Sequence, residues 1–228
     1  MKFSSLNKQY IAIIGDVKGS RELENRSDVQ RMLKKVLEEI NIKYDGDIAS
    51  KFLLTLGDEF QGLLSNGTKV MEIISEIERE LYPIKVRYGI GIGLITTDIN
   101  KEMAIGADGP GYYRARNAIE YLKENEKKKQ RNVADIRFEF KGDNQGSEKM
   151  INTILSLMTV IKEAWSDRQR EIIWDMMKHQ DSQVEAAKRL GIQQPAVQKS
   201  LSKGNYYSYK EALETIGTAL EEIRRQDV

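Results

Sequence analysis

FLLTLGDEF (residues 52–60) decides the fold. An apolar run from Ala49 to Leu56 enters the acidic turn Gly57-Asp58-Glu59, and a second apolar run, Phe60 to Leu64, leaves it. Two strand-like runs joined by a short glycine-bearing turn read as a β-hairpin, with its acids at the tip. Working outward, IAIIGD (11–16) is another apolar strand that delivers an aspartate from its end. With the two strands as neighbours, Asp16 and Asp58 form a carboxylate pair of the kind that holds magnesium and a triphosphate.

The surrounding chain alternates strand and helix signals. Val29, Leu33, Val36, Leu37 and Ile40 recur at helical spacing within 27–42, and Val70, Ile73, Ile74 and Ile77 mark a second helix that Pro83 closes. Ile84 to Thr96 alternates like a strand, with Gly89, Gly91 and Gly93 interleaved, so something must approach that face of the sheet closely. Gly109-Pro110 starts a helix that runs to about Lys128, with proline in its first turn, and Val133 to Phe140 gives a last strand. The order βαββαβαβ predicts an α+β fold: a ferredoxin-like palm domain with an antiparallel sheet over 1–145. KGDNQGS (141–147) is a polar hinge, and 146–228 reads as a separate all-α domain opening with helices over Met150–Trp165 and Asp167–Met177.

Within that helical part, QVEAAKRLGIQQPAVQKSL (183–201) has helix-turn-helix spacing. Gly191 makes a tight turn, Pro195 sits in the first turn of the second helix, Ala187 is small where the helices cross, and Val197 and Leu201 face the core. Gln193, Gln194, Gln198 and Lys199 then face outward with Lys203 nearby. Outward glutamines suit adenine edges in a major groove, and lysines suit phosphates. Double-stranded DNA is the expected partner, although acids and bases balance over 151–228, which weakens phosphate attraction.

Composition narrows the classes. The 228 residues carry a net charge of +1, no cysteine and a single histidine, His179. Disulfides, thiolate metal sites and histidine cages are excluded, and a reducing, cytoplasmic setting fits. No apolar run approaches the roughly eighteen residues that a membrane helix needs, so no membrane partner is expected.

The chemistry sought at the turn is therefore hard-cation and phosphate chemistry. Asp16 and Asp58, with Glu59 as third ligand or proton acceptor, suit Mg2+ or Mn2+, whose shell is completed by water and by the phosphates of a nucleoside triphosphate. Backbone amides of Val17, Lys18, Gly19 and Ser20 precede the next helix and are placed to cradle phosphate, with Lys18 or Arg21 adding charge. Taken singly, Asp16 is a cap and Asp58-Glu59 are ordinary turn acids. Their ordered recurrence is what argues for function.

Four motifs in order, IIGDVKGSR, LGDEFQ, YGIGIGLI and DGPGYYRARNA, resemble the SatD family of bacterial proteins across most of residues 10–125. The same stretch resembles the class III nucleotide cyclases, and GDEF resembles the diguanylate cyclase turn. The cyclase resemblance implies metal-binding roles for Asp16 and Asp58 and a phosphate-facing role for Arg116, making Asp16, Asp58 and Arg116 the catalytic candidates. It departs at Leu54, where many adenylate cyclases have a base-selecting lysine, at Tyr112 or Tyr113 in place of an asparagine, and at Leu56 in the turn. Residues 165–201 resemble the helix-turn-helix of sigma-like and LuxR-like regulators. The reading that follows is a DNA-binding regulatory protein, expected to be a homodimer, whose palm-like domain binds a nucleotide and a divalent metal. The alternatives are a nucleotidyl cyclase making a signalling nucleotide and a catalytically inert dimerisation scaffold.

Overall fold

The computed structural model describes residues 8–22, 25–55, 57–128, 134–140 and 145–226. Five strands, β1 (Tyr10–Val17), β2 (Ile48–Leu54), β3 (Glu59–Leu64), β4 (Val86–Gly93) and β5 (Ile136–Glu139), form one sheet in the order β2-β3-β1-β4-β5. Among the described residues eight α-helices accompany them: α1 (Arg26–Lys43), α2 (Val70–Leu81), α3 (Pro110–Lys127), α4 (Gln145–Glu163), α5 (Asp167–His179), α6 (Gln183–Arg189), α7 (Gln194–Lys203) and α8 (Tyr206–Gln226). The fold is mixed α+β. None of the described helices is long and apolar enough to cross a membrane.

β1 sits centrally because both of its faces are apolar, which only a strand covered on two sides tolerates. Ile11, Ile13 and Val17 join Leu33, Val36, Ile73 and Ile77 of α1 and α2, while Ala12 and Ile14 join Tyr112, Ala115 and Ile119 of α3. Burying each such aliphatic side chain contributes about 1.5–3 kcal/mol. Neighbouring pairs among β2, β3, β1 and β4 are antiparallel. β5 departs from the expected antiparallel sheet and runs parallel to β4. The crossover through α3 returns the chain in the direction it left, as a strand–helix–strand connection does.

What approaches the β4 glycines is α3 itself, not a ligand. A Cβ on Gly91 would lie 2.1 Å from the Gly111 carbonyl oxygen, and one on Gly89 2.2 Å from that of Ala115. The three glycines cut a groove in which the helix backbone rests on the strand.

The expected boundary at 145/146 falls inside the first turn of α4, so Gln145 to Ser147 of the expected hinge are helical, and residues 141–144 lie outside the described residues. One hydrophobic cluster continues from Ile13 on β1 through Ile151, Leu155 and Met158 on α4 to Leu220 on α8. α4 also covers the open edge of the sheet. Asn152 accepts from the Phe138 N–H and donates to its carbonyl, both at 2.9 Å, and Glu148 accepts from the Phe140 N–H at 2.8 Å. An edge occupied by side chains offers no ladder to another strand.

The last helices follow local capping chemistry. Ser166 and Gln169 exchange hydrogen bonds at the start of α5, and Ser182 accepts from the Glu185 N–H at the start of α6. α6 and α7 are joined through Gly191 in the left-handed region, with the Ile192 N–H donating to the Ala187 carbonyl at 3.0 Å. Ala186, Ala187, Val197 and Leu201 are buried between the helices. Trp165 closes the module by donating its indole N–H to the Gly204 carbonyl at 2.7 Å.

Candidate functional site

The strand carrying Asp16 and the hairpin carrying Asp58 are neighbours. Asp16 pairs in register with Glu59 on β3 and with Arg87 on β4, and the Val17 N–H donates to the Asp58 carbonyl at 3.1 Å. Residues directly opposite in a sheet share a face, so Glu59, Asp16 and Arg87 form a row on the side that α3 covers. α3 matches it along one face, with Arg116 and Lys123 about two turns apart. Arg116 grips Glu59 with two bonds of 2.5 and 2.7 Å, Lys123 lies 2.7 Å from one Asp16 oxygen, and Arg87 Nη1 lies 2.5 Å from the other. The Asp58 carboxylate accepts from the Ser20 hydroxyl and lies 3.9 Å from Arg26.

From Asp16 the pairing continues inward as a chain of alternating charge. Arg87 also bonds Glu126 of α3; Glu126 meets Lys18 at 2.7 Å; Lys18 meets Asp135 at 2.5 Å. Asp135 meets Lys162 of α4 at 3.2 Å, and Lys162 meets Glu78 of α2 at 2.6 Å. Burial alone would raise the Asp135 carboxyl, but the ammonium groups of Lys162 and Lys18 hold it below its ordinary value. Burial would likewise lower Lys162, yet Glu78, Tyr209 and Asp135 hold it raised and charged. For Glu78 desolvation prevails, and its carboxyl is pushed up despite Lys162. The chain ties the β1 end to the helices.

Every residue of this arrangement lies within the match to a single known family, whose model covers residues 10–214. The chain belongs to the SatD family. The match runs from the first residue of β1 into α8, so the helical part is as much SatD sequence as the sheet is. No curated protein matches the SatD chain. Among solved structures it is similar to the dimeric guanylyl cyclase domain of the RhoGC fusion protein from the aquatic fungus Blastocladiella emersonii, at 14% identity over 50% of this chain and 74% of that one, with a TM-score of 0.32.

In this SatD chain the expected site residues separate into distinct environments. Asp16, Asp58, Glu59 and Arg116 share the β1–β3 end. The amides of Val17 and Lys18, expected to cradle phosphate, are already spent, donating to the carbonyls of Asp58 and Lys85. The Lys18 ammonium turns inward to Glu126 and Asp135. Gly19, with φ of 63°, and Ser20 form the turn that remains, and the Arg21 side chain lies outside the described residues. Among the described residues no three acids or histidines gather as a metal cage. The donor chemistry nevertheless fits magnesium, which takes one or two carboxylates and completes its shell with water and phosphate oxygens.

On α7 and at its N-cap, Gln193, Gln194, Gln198, Lys199 and Lys203 are all exposed. Gln194 donates to Gln183, which donates in turn to Gln198 and to the Tyr207 hydroxyl, so two of the three glutamines belong to a surface hydrogen-bond chain. Arg189 is clamped by Asp175 and Asp181, and Lys188 is paired with Glu185.

Arg87, Lys123, Glu126, Asp135, Lys162 and Glu78 were not singled out by sequence. Two carried a readable signal. Lys162 falls on the same helical stripe as Ile151, Leu155 and Met158, where a lone charge needs a buried partner. Arg87 precedes the glycine positions on the same face of β4, where a long cation can only meet the covering helix. Glu126 and Lys123 sit among helix charges that look solvated, and nothing local distinguishes them.

Proposed function

We propose that this SatD protein binds a nucleoside triphosphate or related nucleotide, together with Mg2+ or Mn2+, at the β1–β3 end. One observation carries the reading: at that end the outer layer is cationic and the inner layer is acidic. The side chains of Arg26, Arg116 and Lys123 are 49%, 41% and 38% exposed, while those of Asp16, Glu59 and Asp58 beneath them are 9%, 12% and 27% exposed. Outer cations suit phosphate oxygens, and inner carboxylates suit the hard ion that accompanies them. Asp58 and Asp16 would hold the metal, which when bound would neutralise phosphate charge. Arg26, Arg116 and Lys123 would orient the phosphates from outside, with the Gly19–Ser20 turn alongside. The departures from the cyclase pattern at Leu54 and at Tyr112 or Tyr113 favour binding over turnover. Water-proton relaxation with Mn2+ tests this directly: added GTP or ATP should produce an enhancement that Asp58→Asn abolishes. Identical relaxation with and without nucleotide would refute it.

A second element of the proposal is that the α6–α7 pair, read as a helix-turn-helix, docks on duplex DNA. Its support is that Gln193, Lys199 and Lys203 are exposed and have no side-chain partner among the described residues. Cations free of acids are what phosphate contact requires. The ion chain from Asp16 to Lys162 offers a route by which nucleotide occupancy reaches the helices, and such coupling must act equally in both directions. A salt-sensitive gel shift of duplex DNA, altered by saturating nucleotide, is the expected result; no shift in low salt refutes the DNA role.

A further inference from the structure

An amphipathic helix carries one apolar face; α4 carries two. Its inner face packs Ile151, Leu155 and Met158 into the core and even takes a charge, Lys162, inward to Glu78 and Asp135. The outward face carries Met150, Leu157, Val160 and Ala164, bordered by Ile154 and Ile161, which are half-buried against the core; together Met150, Ile154, Leu157, Ile161 and Ala164 alternate at spacings of four and three. That is the spacing of a coiled-coil seam. Met150 is 66% exposed, Leu157 60% and Val160 42%, and no charged residue interrupts the stripe.

The stripe is also symmetric about Leu157. Residues equally distant from it are apolar or small on both sides: Met150 with Ala164, Ile154 with Val160, Thr153 with Ile161. A surface with this property complements a copy of itself turned by a two-fold axis, as a closed dimer requires. The charges agree with one orientation. Lys149 and Glu163 lie on the same flank of the stripe, at opposite ends. Antiparallel packing brings like flanks together, so Lys149 of one copy faces the partner's Glu163, and the reverse pair forms by symmetry. The Lys149 ammonium has no partner among the described residues, and Glu163 is held only by the exposed Lys85 at 2.8 Å.

We propose that α4 is the seam of an antiparallel homodimer, with Leu157 on the two-fold axis and Lys149 paired with the partner's Glu163. α4 is also the helix that receives the ion chain through Lys162, so its two faces join the interior to the interface.

Sedimentation equilibrium of the full chain tests the seam. The wild type should dimerise, and Leu157→Glu and Met150→Glu, both at exposed positions, should sediment as monomers with unchanged far-ultraviolet dichroism. Lys149→Glu alone should weaken dimerisation by about tenfold, and adding Glu163→Lys should restore it. A wild type that stays monomeric at about 100 μM overturns the proposal, as does a dimer that survives Leu157→Glu and Met150→Glu or is indifferent to Lys149→Glu.

Discussion

Lys162 stands 3.2 Å from Asp135 in the interior, each less than a tenth exposed. A charge so placed stabilises little by itself, because desolvation offsets most of the attraction, but removing one member strands the others. Lys162→Met should therefore cost about 3–5 kcal/mol in urea unfolding, leaving Glu78 without its bonded cation and Asp135 with Lys18 alone. A loss under about 1 kcal/mol would mean that water already solvates the pair.

The same pair predicts an acid dependence. Asp135 is held below its ordinary 3.8 in the folded state, so its contribution is present above that value and is lost as pH falls through the folded one. Asp135→Asn should be less stable than wild type at neutral pH and should lose less stability between about pH 4 and pH 2. Parallel pH profiles for the two proteins would remove Asp135 as the source.

Gly91→Ala should destabilise by about 1–3 kcal/mol or more, because the new methyl meets backbone atoms of Gly111 and Ala115 that cannot rotate away. Gly217→Ala, on α8 with no atom within 4 Å of the added carbon, should instead stabilise by about 0.5–1 kcal/mol. Thermal melts of the two variants should move in opposite directions.

If α7 meets phosphates, replacing Lys199 and Lys203 together by alanine should weaken duplex binding to a similar degree on every sequence. The slope of log affinity against log salt should fall by about two. An unchanged slope would place any DNA contact elsewhere.

The frame of this fold is legible in short-range pattern. The apolar run into Gly15-Asp16, the hairpin at Gly57-Asp58-Glu59 and the stripe of Val70, Ile73, Ile74 and Ile77 each specify an element by period and punctuation alone. The row across the sheet is not, because Arg87 meets Asp16 only through strand register, and register depends on which strands become neighbours. The glycines of β4 announced a close approach without naming what approaches, since a helix and a ligand make the same demand of a strand. β5 looked like any other strand; its parallel direction follows from the crossover through α3. The amphipathic character of α4 is legible in its spacing, and Lys162, on the stripe of Ile151, Leu155 and Met158, signals a buried partner without naming Glu78 or Asp135, which only the packing of α2 and β5 supplies.

The most direct test of the account is isothermal titration of ATP, GTP, CTP and UTP with magnesium into wild type and Asp58→Asn. Asp58 is the least buried of the three acids, so its amide variant should keep the fold. Magnesium-dependent binding of at least one nucleotide, lost in Asp58→Asn, is the predicted result. Binding that persists in the variant, or no heat with any of the four, would contradict a nucleotide site at the β1–β3 end.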